Sequence, residues 1–161
     1  VIAGDGQEFD PYFRHVRGEI ERLGLVHRVL VTGRLTDAAL LACYRAAHLY
    51  LSASEHEGFG VPLVEAMWFD VPVLAARAGA VPDTAGAAAL LFDTETDLRE
   101  VARLAKLLAR DDREMRRGLV EAGRARRESF TPRAVRPIVE SLARRMATAA
   151  RGHADRRAEV A

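Results

Sequence analysis

Apolar runs of strand length alternate with stretches of helical periodicity from Val1 to about Phe92, a pattern that predicts βα units and a parallel sheet. The first unit is a strand over Val1 to Ala3 and a helix from about Pro11 to Leu23. In that helix Phe13, Val16, Ile20 and Leu23 are spaced for one face, and Gly24 ends it. The second unit is a strand from Val29 to Thr32 and a helix capped by Thr36, in which Leu40 and Tyr44 lie four apart. The third opens on Leu49-Tyr50-Leu51-Ser52, read as a buried strand, and passes through a glycine turn into a helix that ends near Phe69. Strands over Val71 to Ala75 and Ala89 to Phe92 follow.

These units predict an α/β fold, a Rossmann-like doubly wound parallel sheet whose ligands lie beyond the carboxyl ends of the strands. Beyond Asp93 only helices are expected. Asp97 stands three before Glu100, as in a capping box, and Leu98, Val101, Ala105 and Leu108 share one helical face. A second helix runs from about Arg113 to Arg127. Thr131-Pro132 then starts a last helix with a stripe of Val135, Ile138, Leu142 and Met146. From about Ala149 the apolar period stops, which predicts a disordered tail over 149–161.

Composition narrows the class. The 161 residues are 49% hydrophobic with a net charge of +1, enough for one core and without polyelectrolyte character. The arginines at Arg113, Arg116, Arg117, Arg124, Arg126 and Arg127 are interspersed with acids and lack interleaved aromatics, so they read as a solvated helix face and not as a nucleic-acid surface. There is no apolar run long enough for a membrane span. Cys43, the single cysteine, sits beside Leu40, Leu41 and Tyr44 and reads as a buried hydrophobe. No His-x-x-x-His or carboxylate cluster has metal-ligand spacing, so no metal is expected. The nucleophile elbow of hydrolases and the phosphate loop of NTPases are both missing.

The chemistry concentrates in Ser54-Glu55-His56-Glu57-Gly58-Phe59-Gly60-Val61-Pro62-Leu63-Val64-Glu65-Ala66-Met67. Pro62 suits the first turn of a helix, where its missing N–H costs nothing. The head of such a helix offers N–H groups and a dipole that favours an anion such as a phosphate. Gly58 and Gly60 permit positive φ and a close ligand approach. Glu57 at the strand end and Glu65 one turn into the helix can accept from sugar and ribose hydroxyls. Each glutamate alone also fits a dipole-stabilised helix end or a solvated surface, and His56 fits either a hydrogen-bond donor or a loop filler. Met67 and Trp68 fall on the buried side of the motif helix.

Taken together, the run resembles the E-x7-E motif in the C-terminal, donor-binding domain of the retaining GT-B glycosyltransferases of family 4. Val1-Ile2-Ala3-Gly4-Asp5-Gly6 resembles that family's strand and Gly-Asp-Gly turn, and Val29 to Leu35 its next strand and nucleotide-facing loop. Val71 to Ala75 and Gly79-Ala80-Val81-Pro82-Asp83 resemble the strand and turn that follow the motif. The resemblance covers Val1 to about Phe130. Two positions depart from it: Asp70 stands where many relatives have glycine, and Asp83 where glutamate is usual.

The resemblance implies roles residue by residue. Glu57 is the catalytic carboxylate and, with the N–H groups of Phe59 and Gly60, holds the sugar. The helix head over Val61, Pro62 and Leu63 receives the diphosphate. Glu65 holds the ribose, Arg34 and Leu35 lie near the base, and Gly4 approaches the donor sugar or acceptor side, although its Gly-Asp-Gly is equally a simple turn. No cofactor is implied; the substrate is a UDP-, GDP- or ADP-sugar, and the acceptor a glycan or lipid-linked molecule. On this basis residues 1–130 form a nucleotide-sugar-binding domain lacking its first strand and helix, and 131–148 a helix crossing toward an N-terminal acceptor-binding domain. That domain and an Arg/Lys pair for the leaving diphosphate would lie outside the chain, which alone would bind weakly and not turn over. A cytoplasmic location follows by the same resemblance, with peripheral association at the inner membrane face open to the full-length enzyme. A sugar-nucleotide epimerase on the same architecture and a non-catalytic nucleotide-binding module stay open as alternatives.

Overall fold

The computed structural model describes residues 1–3 and 11–158, with side chains through residue 147. Contacts divide the chain into two compact units, Val1–Ala47 and His48–Ala161. The first holds β1 (Ile2–Ala3), α1 (Pro11–Arg22), β2 (Val31–Gly33) and α2 (Asp37–Ala46). β1 and β2 pair in parallel, with Ile2 opposite Val31. Phe13, Val16 and Ile20 are half-buried on one face of α1, whereas Leu23 is exposed, contrary to its spacing. The helix has ended at Arg22, so Leu23 has left the stripe before the left-handed Gly24 turns the chain. Thr36 caps α2, accepting from the Ala39 N–H at 3.3 Å. Cys43 is half-buried and Tyr44 buried.

The second unit continues with β3 (Tyr50–Ser52), α3 (Val61–Trp68), β4 (Val73–Ala76), α4 (Val81–Ala85), β5 (Ala89–Phe92), α5 (Leu98–Lys106), α6 (Arg113–Arg127) and α7 (Pro132–Ala158). A π turn over Leu107–Asp111 joins α5 to α6, and a 3₁₀ turn over Glu128–Phe130 joins α6 to α7. β4 lies between β3 and β5 in a fully parallel sheet. Its four residues are all buried, as a strand covered on both faces requires. Leu74, Ala76, Phe92, Val101 and Leu108 form a core to which Leu49, Leu90, Leu104 and Leu119 add. On α3, Met67 packs against Gly123 of α6, where a Cβ would meet Met67 Cγ at 3.3 Å.

Several surface expectations change here. Leu98, placed on the buried face by its spacing, is 78% exposed, because it is the first residue of α5 and projects past the cap. Leu104 takes its place at the core. Asp97 caps that helix through the Arg99 N–H, while Glu100 turns to Arg103 instead of closing a capping box. Trp68, expected in the core, is half-exposed under the Arg127 guanidinium, 4.7 Å from its ring centroid.

Arg113 and Arg117 are exposed, as a solvated face requires, but the three arginines near the end of α6 are not part of one. Arg124 grips the Asp70 carboxylate with two hydrogen bonds, at 2.8 and 2.6 Å. Arg127 donates to the carbonyls of Met67 and Trp68 at 2.9 and 3.2 Å, and Arg126 to those of Thr84 and Asp83. They therefore hold the C-terminal ends of α3 and α4, where carbonyls lack helical partners and the dipole favours cations. Asp70 has φ 56, the left-handed conformation that glycine adopts without strain, so the backbone here is one that suits the glycine implied by the family resemblance.

The α7 stripe is exposed, with Ile138, Leu142 and Met146 all more than half accessible. Its backbone stays helical through Ala158, beyond Ala149 where the loss of period suggests disorder. Residues 149–158 are mainly Ala and Arg, which favour helix without any apolar stripe. No described helix is long and apolar enough to cross a membrane.

Candidate active site

The site is built on the loop between β3 and α3. Gly60 is the N-cap of α3 with φ 82, and a Cβ there would stand 2.9 Å from Leu63 Cδ1, so both conformation and space select glycine. Its N–H donates to Glu57 Oε1 at 3.1 Å. The Glu57 carboxylate is thereby fixed at the head of α3, and the Gly60 N–H first assigned to the sugar is already engaged by that carboxylate. Gly58 is different. Its φ is not positive, and a Cβ on it would meet nothing within 4 Å, so its value is open space beside the loop.

Pro62 lies in the first turn as expected, Val61 is exposed, and Leu63 is fully buried with its N–H turned to Gly60 O at 3.0 Å. Leu63 is thus an anchor for the helix head, and its N–H is not a phosphate donor. The first turn carries no acidic residue to repel an anion. His56 is exposed, and its carbonyl accepts from the Ser54 hydroxyl at 2.9 Å.

A second loop, after β4, closes on the first. The Glu57 carbonyl accepts the Ala80 N–H at 2.9 Å, and Gly79 at φ 53 lies so near that a Cβ would be 2.3 Å from Glu57 O. The sequence names Gly79 only as part of the turn Gly79-Ala80-Val81-Pro82-Asp83 and gives it no role of its own. Asp83 is exposed in α4, with its carbonyl held by Arg126. Arg77, at the end of β4, pairs with Asp93 at 3.1 Å, both largely exposed.

Tyr50 was also missed, read only as a strand residue. Burial raises its phenol above the ordinary value, the charges of Glu57 and Glu65 add to the rise, and a hydrogen bond with Ser52 opposes it. The charges of both motif carboxylates thus act on one hydroxyl. Arg34, exposed, and Leu35, half-buried, follow β2 in the first unit. Gly4 lies outside the described residues. Among the described residues no three His, Cys, Asp or Glu side chains group as a metal site.

The chain that carries this helix head is similar to known proteins. The family profile described as glycosyl transferases group 1 matches residues 1–126. The chain belongs to this family. Among curated group 1 relatives, it is 36% identical over 109 residues to the MMP alpha-(1->4)-mannosyltransferase of Mycolicibacterium hassiacum, covering 66% of this chain and 26% of that protein. It is 32% identical over 139 residues to the sulfoquinovosyl transferase SQD2 of Arabidopsis thaliana, covering 83% and 25%. The chain therefore spans about a quarter of the length of these relatives.

Solved structures agree with a Rossmann-like C-terminal GT-B domain. The sucrose-phosphate synthase of Thermosynechococcus elongatus superposes with a TM-score of 0.76 at 26% identity, over 91% of this chain and 38% of that one. Anabaena Alr3699/HepE, solved in complex with UDP, gives 0.73 at 27% identity over 88% and 39%.

Proposed function

We propose that this group 1 domain binds the nucleotide-sugar donor of a retaining, metal-independent glycosyltransferase of family 4, which passes a sugar to a glycan or lipid-linked acceptor. The observation that carries the reading is the Glu57 carboxylate bonded to the Gly60 N–H at the head of α3, the helix that also carries Glu65. The UDP and UDP-glucose complexes of Anabaena Alr3699/HepE support a nucleotide sugar as the ligand class.

In this reading the diphosphate lies over the first turn of α3, where the helix dipole stabilises charge as the bond to the anomeric carbon breaks. Glu65 accepts from the ribose hydroxyls. Glu57 accepts from the sugar hydroxyls with the oxygen lone pairs that Gly60 leaves open, and the Phe59 N–H is a further backbone donor of the loop. Cationic groups for the leaving diphosphate and the acceptor site belong to the rest of the enzyme. Amide shift mapping during a UDP titration tests the reading: changes centred on 57–65 support it, and changes confined to other segments refute it.

A further inference from the structure

Phe59 carries the one side chain between Glu57 and Val61, because both of its neighbours are glycines. Backbone flanked by glycines has little conformational preference of its own, so the direction of the Phe59 N–H depends on what holds its ring. That ring stands edge-to-face against Phe130, with centroids 5.5 Å apart and planes at 90°. Phe130 closes the 3₁₀ turn after α6. The guanidinium of Arg126 lies over the Phe130 ring, 5.0 Å from its centroid. The same guanidinium donates from Nε to the Thr84 carbonyl at 2.9 Å and from Nη2 to that of Asp83. The end of α4, the end of α6 and the Gly-Phe-Gly loop therefore meet in one cluster.

We propose that Phe130, held by Arg126, is a positioning residue for the donor loop: it fixes the Phe59 ring and with it the orientation of the Phe59 and Gly60 N–H groups. What the loop then holds rests on the donor-site reading above. Phe130 touches no reacting atom in this scheme. An edge-to-face pair needs a ring on each side, so tyrosine at 130 preserves the effect and leucine, of similar bulk, removes it.

Two readouts on the full 161-residue chain separate the possibilities. The first is amide hydrogen exchange at Phe59 and Gly60 without ligand, referred to exchange in β4. The second is the Kd for UDP, GDP and ADP. Phe130→Leu is expected to speed exchange at the two loop amides and weaken the bound nucleotide roughly 3- to 10-fold, with Phe130→Tyr staying close to wild type on both counts. A purely structural Phe130 would change exchange in β4 as much as in the loop, and that result overturns the proposal. So does wild-type loop exchange in Phe130→Leu. If wild type binds none of the three nucleotides, the donor-site reading fails, and loop exchange alone decides the role of Phe130. Should Phe130→Leu not fold, Phe59→Leu removes the other ring, and unchanged exchange at Gly60 there is equally fatal.

Discussion

Gly79 lies against the backbone of Glu57 so closely that a Cβ on it would stand 2.3 Å from the Glu57 carbonyl oxygen and 3.0 Å from its nitrogen. Backbone cannot give way as a side-chain tip can, and φ 53 is itself unfavourable for any other residue. Gly79→Ala is therefore expected to destabilise by about 2–4 kcal/mol, the sum of left-handed strain and overpacking. Urea unfolding checks it; a midpoint equal to wild type would contradict the close approach.

The two glycines of the Gly-Phe-Gly loop are predicted to behave differently. Gly58→Ala meets open space and should change stability by less than about 0.5 kcal/mol. Gly60→Ala takes the strain of φ 82 and presses on Leu63 Cδ1, a movable side-chain end, so a loss of about 1–2 kcal/mol is expected. Denaturant curves for the pair read this directly, and equal losses would refute the assignment.

Acid stability should depend on Asp70. Hydrogen bonds from Arg124 hold its carboxyl below the ordinary carboxylate range; partial burial opposes them, and the charges of Arg124 and Arg127 add to the lowering. A carboxylate whose folded value lies below its unfolded one adds stability that is complete above the unfolded value and is lost as pH falls through the folded one. Water reaches this pair, so the contribution is of surface-bridge size. Asp70→Asn tolerates the left-handed backbone but cannot ionise, so its Tm should fall less steeply than that of wild type between about pH 5 and pH 2. Parallel Tm curves would show that the ion pair is energetically silent.

Local chemistry made much of this fold readable. Thr36 and Asp97 announce helix starts because a cap bonds within three residues, and Pro62 marks the first turn of α3 for an equally local reason. The E-x7-E spacing brought Glu57 and Glu65 to notice before any coordinates. What escaped was set by contacts between distant segments. Arg124, Arg126 and Arg127 look like a solvated face because their partners, Asp70 and carbonyls on α3 and α4, lie far away in the chain. Tyr50 is a strand residue, and the charges of Glu57 and Glu65 that act on its hydroxyl come from beyond β3, so its local sequence gives no sign of them. Leu23, Leu98 and Trp68 fit helical periods but lie at helix ends, where a stripe no longer faces the core.

Calorimetric titration of wild type and Glu65→Ala with UDP, GDP and ADP decides whether the head of α3, with Glu57 and Glu65, binds the donor nucleotide. Saturable binding of one of these nucleotides is expected, weakened about tenfold or more in Glu65→Ala by loss of charge-assisted hydrogen bonds to the ribose. Equal affinity of the two proteins, or no binding to the folded wild-type chain at millimolar nucleotide, would contradict it.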